Sequence, residues 1–226
     1  MKDIWQDLRF GARLLRLNPG FAAVAILSLA LGIGANTSIF QLLDAVRLRT
    51  LPVKDPQQLA VVRIEDRQWN SGRFQGGYSE LTNPIWEQIR DHQEAFSGMF
   101  AWGPDQFNLA TGGEARYVRG NWISGDYFNV LGERPILGRV FTPEDDHRGC
   151  GTPGVVVSYG FWQREFGGDP SALGRKITLE SHPFEIIGIT SPSFYGVEVG
   201  RSYDVAVLIC SEPVIRGEDT DRKSVV

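Results

Sequence analysis

The hydrophobic pattern of this chain changes character at residue 21. Residues 21–43, FAAVAILSLALGIGANTSIFQLL, contain no charged side chain. At ~1.5 Å rise per residue this stretch makes a helix of roughly 35 Å, enough to cross a ~30 Å hydrocarbon layer with some tilt. Asn18-Pro19 in front of it reads as an N-cap followed by proline at the first helical position. Upstream, residues 3–17 repeat at helical spacing. Ile4, Trp5, Leu8, Ala12 and Leu15 share one arc, with Arg9, Arg13 and Arg16 beside it. Tryptophan on the apolar side and arginine on the polar side predict a helix lying in the headgroup region, its three arginines making the interfacial headgroup contact. Asn18-Pro19 interrupts any single helix running through both segments.

Inside the apolar run, Ala30, Gly34 and Ser38 recur every four residues, with Gly32, Asn36 and Thr37 nearby. Small side chains let a second helix approach closely, and in lipid that packing drives association. These three positions are therefore the predicted membrane-helix packing row. Gly32-Ile33-Gly34 lacks the third glycine and the βαβ setting of a dinucleotide loop, and is discarded as one.

Beyond residue 47 the pattern is that of a folded soluble domain. LRTLPVKDP is a proline-punctuated exit from the apolar run, followed by a predicted strand over 59–64 and a polar, Gly-rich loop over 66–77. Asn83-Pro84 opens a helix carrying Ile85, Trp86 and Ile89 on one face. Strands are predicted over 96–102, 106–111 and 115–123, separated by turns at Gly103-Pro104 and Gly112-Gly113. Ser124 is the expected cap of a short helix through Tyr127, Phe128 and Leu131, and residues 138–154 form a long loop. A buried strand at 155–157 leads to a helix capped by Ser158, and Asp169-Pro170 starts a further helical turn. Strands follow at 175–179, 184–189 and 204–209, and from 212 to 226 periodicity is lost and charge rises. Helices interspersed among strands with tight turns predict an α+β fold with a mixed or antiparallel sheet. There is no repeat at fixed period.

Charge adds an orientation. The first 18 residues carry four basic against two acidic side chains, while the remainder of the 226-residue chain is net −6. A basic flank predicts a cytoplasmic N-terminus, although Arg47, Arg49 and Lys54 weaken the asymmetry. An acidic main domain is a poor partner for phosphate backbones, so nucleic acid is excluded. A mean hydropathy of −0.17 and the lack of a second apolar run of 18 residues exclude a polytopic protein of this length. A cleaved signal peptide, with its apolar region over 21–31, is the competing reading of the run. It demands an unusually long basic segment, and the apolar pattern resumes at Ile39, Phe40, Leu42 and Leu43. Both readings place the domain outside the cytoplasm. There the two cysteines, Cys150 and Cys210, either pair or stand as independent small side chains.

Candidate chemistry is sparse. His92, His147 and His182 lie in no HExxH and at no metal spacing to cysteine. The cluster Glu144, Asp145, Asp146 and His147 suits a hard cation or, equally, a solvated loop. Asp91, His92 and Glu94 lie on the polar side of a predicted helix. GxSxG, Walker and paired-carboxylate signatures are missing. Tryptophans 69, 86, 102, 122 and 162 read as packing groups. No catalytic residue, cofactor or metal is expected, and the chain is read as a non-enzyme.

Three stretches, FAAVAILSLALGIGANTSIFQLLDAVRLRTLP, GEARYVRGNWISGDYFNVLGERPILGRVFTPEDD and VVVSYGFWQREFGGDPSALGRKITLESHPFEIIGI, resemble the N-terminal part of MacB/FtsX-type ABC transporter permeases. More narrowly they resemble the duplicated orphan permease branch, whose genes lack a fused ATPase. The resemblance covers about residues 5–210. It implies a first transmembrane helix, a periplasmic core domain of one or two subdomains, further transmembrane helices after it, and a separate cytoplasmic ATPase subunit. It also implies dimerisation and work as a mechanotransmitter. The chain departs from that pattern by ending in SEPVIRGEDTDRKSVV with one membrane helix, as a fragment or truncated product would. The expected organisation is thus a cytoplasmic amphipathic segment at 1–18, a transmembrane helix at 19–46, a MacB-like periplasmic core at 47–211 and an irregular tail at 212–226. The expected setting is the bacterial inner membrane. Partners are membrane lipid, an ABC ATPase, and a second copy or other permease helices. The alternative function is a membrane-anchored periplasmic interaction or sensor domain without an ATPase.

Overall fold

A computed structural model describes residues 2–43, 51–62, 81–110, 112–217 and 224–225, and the chain divides into two compact units, Met1–Thr50 and Leu51–Val226. The described residues of the first unit form two helices, α1 (Lys2–Leu17) and α2 (Pro19–Leu43). Asn18 is the whole joint between them. Its backbone N–H and side-chain amide donate to the Leu14 carbonyl at 3.1 and 3.2 Å, and its own carbonyl accepts from Ala22 N at 3.0 Å. One residue therefore closes α1 and opens α2, with Pro19 at a position where no donor is needed.

The second unit is built on a mixed sheet. Its strands are β2 (Trp102–Asn108), β3 (Tyr117–Ile123), β4 (Leu137–Gly138), β5 (Val155–Val157), β6 (Lys176–Leu179), β7 (His182–Ile189) and β8 (Val205–Leu208). They run in the order β2-β3-β8-β5-β7-β4, and β6 also pairs with β7. The β3/β8 and β5/β7 pairs are parallel, the other ladders antiparallel. A separate two-stranded ladder joins β1 (Leu81–Thr82) to β9 (Ser224–Val225). Helices α3 (Asn83–His92), α4 (Tyr127–Leu131), α5 (Tyr159–Phe166) and α6 (Glu212–Arg216) complete the unit. The predicted class holds: a membrane-length helix is followed by a mixed α/β domain.

Alternation along the central strands sorts the core onto two faces. Val155, Val157, Val205 and Val207 pack with Phe161 and Trp162 of α5 on one side. Val156, Ala206 and Leu208 pack with Tyr127, Phe128 and Leu131 of α4 on the other. Strands buried on both faces read as unbroken apolar runs, which is why VVV and VAVL were recognisable. Each large side chain taken out of water contributes roughly 1.5–3 kcal/mol. Close approach needs glycine at several points, two of them on the strands β3 and β7. A Cβ on Gly120 of β3 would lie 2.2 Å from the Phe107 ring, and one on Gly188 of β7 would lie 1.9 Å from the Arg139 carbonyl oxygen.

Several expectations need correction. The turn predicted at Gly103-Pro104 lies inside β2, which is an edge strand, so Pro104 costs no ladder bond that a neighbour needs. No strand occupies 96–101, and the described part of the 59–64 prediction, 59–62, is not a strand either. That segment instead belongs to a strap, in which Lys54 N donates to the Leu131 carbonyl at 2.8 Å while Val53 and Leu59 cover the α4 face. Ser124 does not cap α4. Its hydroxyl accepts from Ala101 N at 3.0 Å, while Ser158 caps α5 as expected by accepting from Phe161 N at 3.1 Å. The expected irregular tail begins with an ordered helix. Ile215 of α6 joins the core, and Arg216 pairs with Asp105 while its guanidinium lies 5.7 Å from the Trp122 ring. The predicted loop at 66–77 and Trp69 lie outside the described residues.

Candidate functional site

Among the described residues one helix, Pro19–Gln41, is long and apolar enough to cross a membrane. Its large side chains, including Phe21, Leu27, Leu31, Ile39 and Phe40, are more than half exposed, as a helix destined for an apolar solvent requires. Ala30, Gly34 and Ser38 stand on successive turns of one strip of α2. Ser38 Oγ donates to the Gly34 carbonyl and Thr37 Oγ1 to the Ile33 carbonyl, each at 2.8 Å. Both hydroxyls are thus satisfied within the helix, and what they present outward is small. Beyond the helix's own backbone and the neighbouring residues in sequence, nothing described lies within 4 Å of the positions a Cβ would take at Gly32 or Gly34. The strip therefore carries only small side chains. Arg9, Arg13 and Arg16 are exposed on α1.

The second unit carries a cleft of about 560 Å³ between α3, the loop at 146–149 and the turn entering α6. Glu87, Arg90, Asp91, Asp146, His147 and Arg148 line it, so its charges are mixed. Arg148 pairs with Glu87 and Arg90 with Asp91, and His92 Nδ1 lies 2.9 Å from the Gln88 carbonyl. The acidic cluster noted in the sequence does not converge. Asp145 turns to Arg139 through contacts of 2.6 and 3.0 Å, and the guanidinium holds its carboxyl below the usual carboxylate range. Asp146 turns inward and accepts from Gly125 N at 2.8 Å, while burial pushes its pKa up. Among the described residues no group of three or more His, Cys, Asp or Glu is placed to hold a metal ion. Cys210, on the cleft wall, is bridged to Cys150 with Cα atoms 5.8 Å apart, which resolves the alternative the sequence left open. This cleft offers a surface of paired charges, with its cysteine oxidised and its one histidine, His147, placing Nδ1 3.2 Å from the Arg148 carbonyl.

At the start of the central strand β8, Asp204 gathers Arg119 and Arg164 at 3.2 and 3.0 Å. Burial opposes its ionisation, but the two guanidinium groups and Arg119 N outweigh it and keep its pKa low. This arrangement ties β3, α5 and β8 together. The sequence reading missed it because the three residues are 40 or more positions apart from Asp204 or from each other in different elements.

The profile of the family described as MacB-like periplasmic core domain matches residues 22–210. Among solved structures, the chain is similar to the periplasmic region of MacB from Actinobacillus actinomycetemcomitans. The identity is 17%, the TM-score 0.50, and the match covers 65% of this chain and 62% of that one. It is also similar to the extracellular domain of the noncanonic ABC-type transporter YknZ from Gram-positive bacteria, with 18% identity, TM-score 0.47, and coverage of 60% and 66%. A domain of a permease protein from Porphyromonas gingivalis matches at 14% identity and TM-score 0.42, covering 64% and 61%. The chain spans less than two thirds of each of these structures. No curated protein sequence matches.

Proposed function

The chain belongs to the MacB-like periplasmic core domain family, and from that premise we propose that it is a non-catalytic permease subunit, or the N-terminal part of one, in an ABC-type export or mechanotransmission system. In this reading α2 crosses the inner membrane with the basic N-terminus in the cytoplasm, and the unit from Leu51 onward stands in the periplasm. A separate cytoplasmic ATPase supplies the energy, and the strip of Ala30, Gly34 and Ser38 receives a neighbouring permease helix or a second copy of α2. One observation carries the proposal. The family match spans residues 22 to 210, so most of the apolar helix and of the mixed-sheet unit falls within one family model. The Cys150–Cys210 bridge supports an oxidising compartment for the second unit.

Such a subunit needs no catalytic group of its own. It needs a rigid body beyond the membrane and a helix that conveys movement to it. The test is affinity purification of the full-length gene product from its native membranes in mild detergent. An ABC ATPase subunit is expected to co-purify, with its yield changed by non-hydrolysable nucleotide. Recovery of the chain without any nucleotide-binding subunit would refute the coupling and leave an anchored periplasmic domain.

A further inference from the structure

We propose that α1 is a docking surface for anionic phospholipid, with Arg9, Arg13 and Arg16 recognising the phosphate groups of the leaflet that α2 enters. The inference rests on the reading of α2 as a membrane span. If α2 spans, α1 has nowhere else to go. Asn18 alone separates Leu17 from Pro19, so the ~24 Å length of α1 starts at the bilayer surface. Apolar side chains such as Trp5, Leu14 and Leu15 are exposed along it.

The arginines supply the selectivity. At ~100° per residue, Arg9, Arg13 and Arg16 fall within about 60° of arc, bordering Trp5. In the second unit nine arginines, Arg90 through Arg216, each lie against a carboxylate. Among the described residues no carboxylate pairs with Arg9, Arg13 or Arg16. Three aligned, exposed cations, in no ion pair among the described residues, on a helix with an adjoining apolar stripe, match a surface that is apolar below and phosphate-rich above. The guanidinium fork fits phosphate oxygens bidentately. A zwitterionic surface would retain the apolar contact and lose the electrostatic attraction, which amounts to roughly fivefold in partitioning for each arginine near an anionic surface.

The test places the full chain in nanodiscs of phosphatidylcholine alone or containing phosphatidylglycerol, and follows amide hydrogen exchange. Amides of α2 report the span and should be protected in both lipids. If they exchange freely, the reading of α2 fails, independently of α1. With α2 protected, exchange of residues 2–17 should be several-fold slower in phosphatidylglycerol. That difference should disappear at ~1 M salt, where the Debye length is ~3 Å, and in the R9Q/R13Q/R16Q variant. Equal protection in both lipids, or a lipid dependence that survives the triple substitution, would overturn the proposal. So would protection that appears only in native membranes, which would assign α1 to a protein partner.

Discussion

Replacing both Cys150 and Cys210 by serine tests how much of the second unit's stability depends on one covalent link. The bridge joins the long loop after β4 to the turn after β8, across 60 positions of chain. Closing a loop of that length removes conformational freedom from the unfolded chain. In the chain-entropy account it contributes about 4 kcal/mol at 25 °C. With Cα atoms 5.8 Å apart, within the ordinary range for a disulfide, the folded backbone is already in position and little of that gain should be lost. For a domain of 150–250 residues, 1 kcal/mol moves the melting temperature by about 2–4 °C, so the double variant should melt about 8–16 °C lower. The assay is thermal unfolding of the full chain in detergent, followed by near-ultraviolet circular dichroism with and without reductant. The unsubstituted chain should fall to the variant's melting temperature when reduced, and the variant should ignore reductant. A variant that melts within 2 °C of the parent, or a native chain that titrates two free thiols, would refute the reasoning.

Three further outcomes follow from particular contacts. Gly188→Ala should cost about 1–3 kcal/mol, read as a lower urea midpoint, because its Cβ would meet the Arg139 carbonyl oxygen at 1.9 Å in a stretch pinned by the Arg139 N to Ile187 O bond. Asp146→Asn should stabilise the fold at neutral pH. Burial raises the carboxyl's pKa in the folded state, so ionisation is penalised above that pKa and the penalty fades as pH falls through it toward the unfolded value. Denaturation at several pH values should therefore find the variant's advantage shrinking toward acid, and an advantage that grew would contradict the assignment. Gly34→Leu should reduce helix–helix crosslinking of the full chain several-fold while leaving the melting of the second unit unchanged, since its side chain would fill the strip that otherwise admits a partner.

Where packing obeys simple periodicity, the sequence was a good guide. Val155–Val157 and Val205–Leu208 declared themselves as strands covered on both faces, and Ser158 announced α5 because its hydroxyl has one obvious local donor to satisfy. Local signals misled where the tertiary setting overrode them. Gly103-Pro104 looks like a turn in isolation, yet an edge strand tolerates the missing donor. The apolar residues of 59–62 look like a strand, yet Leu59 serves to cover α4. The charge of the last residues hid α6, whose Ile215 is buried and whose Arg216 finds Asp105 more than a hundred positions earlier. Helical spacing alone places Ala30, Gly34 and Ser38 on one strip of α2 and Arg9, Arg13 and Arg16 on one arc of α1, and their roles in the membrane are proposals. The Cys150–Cys210 pairing and the divergence of Asp145 from Asp146 were not legible, since both depend on where loops come to rest.

The proposed role depends on the orientation of α2 in a bilayer. A chain tagged at both termini, produced in its bacterial host and exposed as spheroplasts to external protease, measures that orientation directly. The N-terminal tag should survive on a carbonate-resistant membrane fragment while the C-terminal tag is digested. Release of the chain as a soluble product trimmed near Ala35, or loss of the N-terminal tag with the C-terminal one intact, would contradict it.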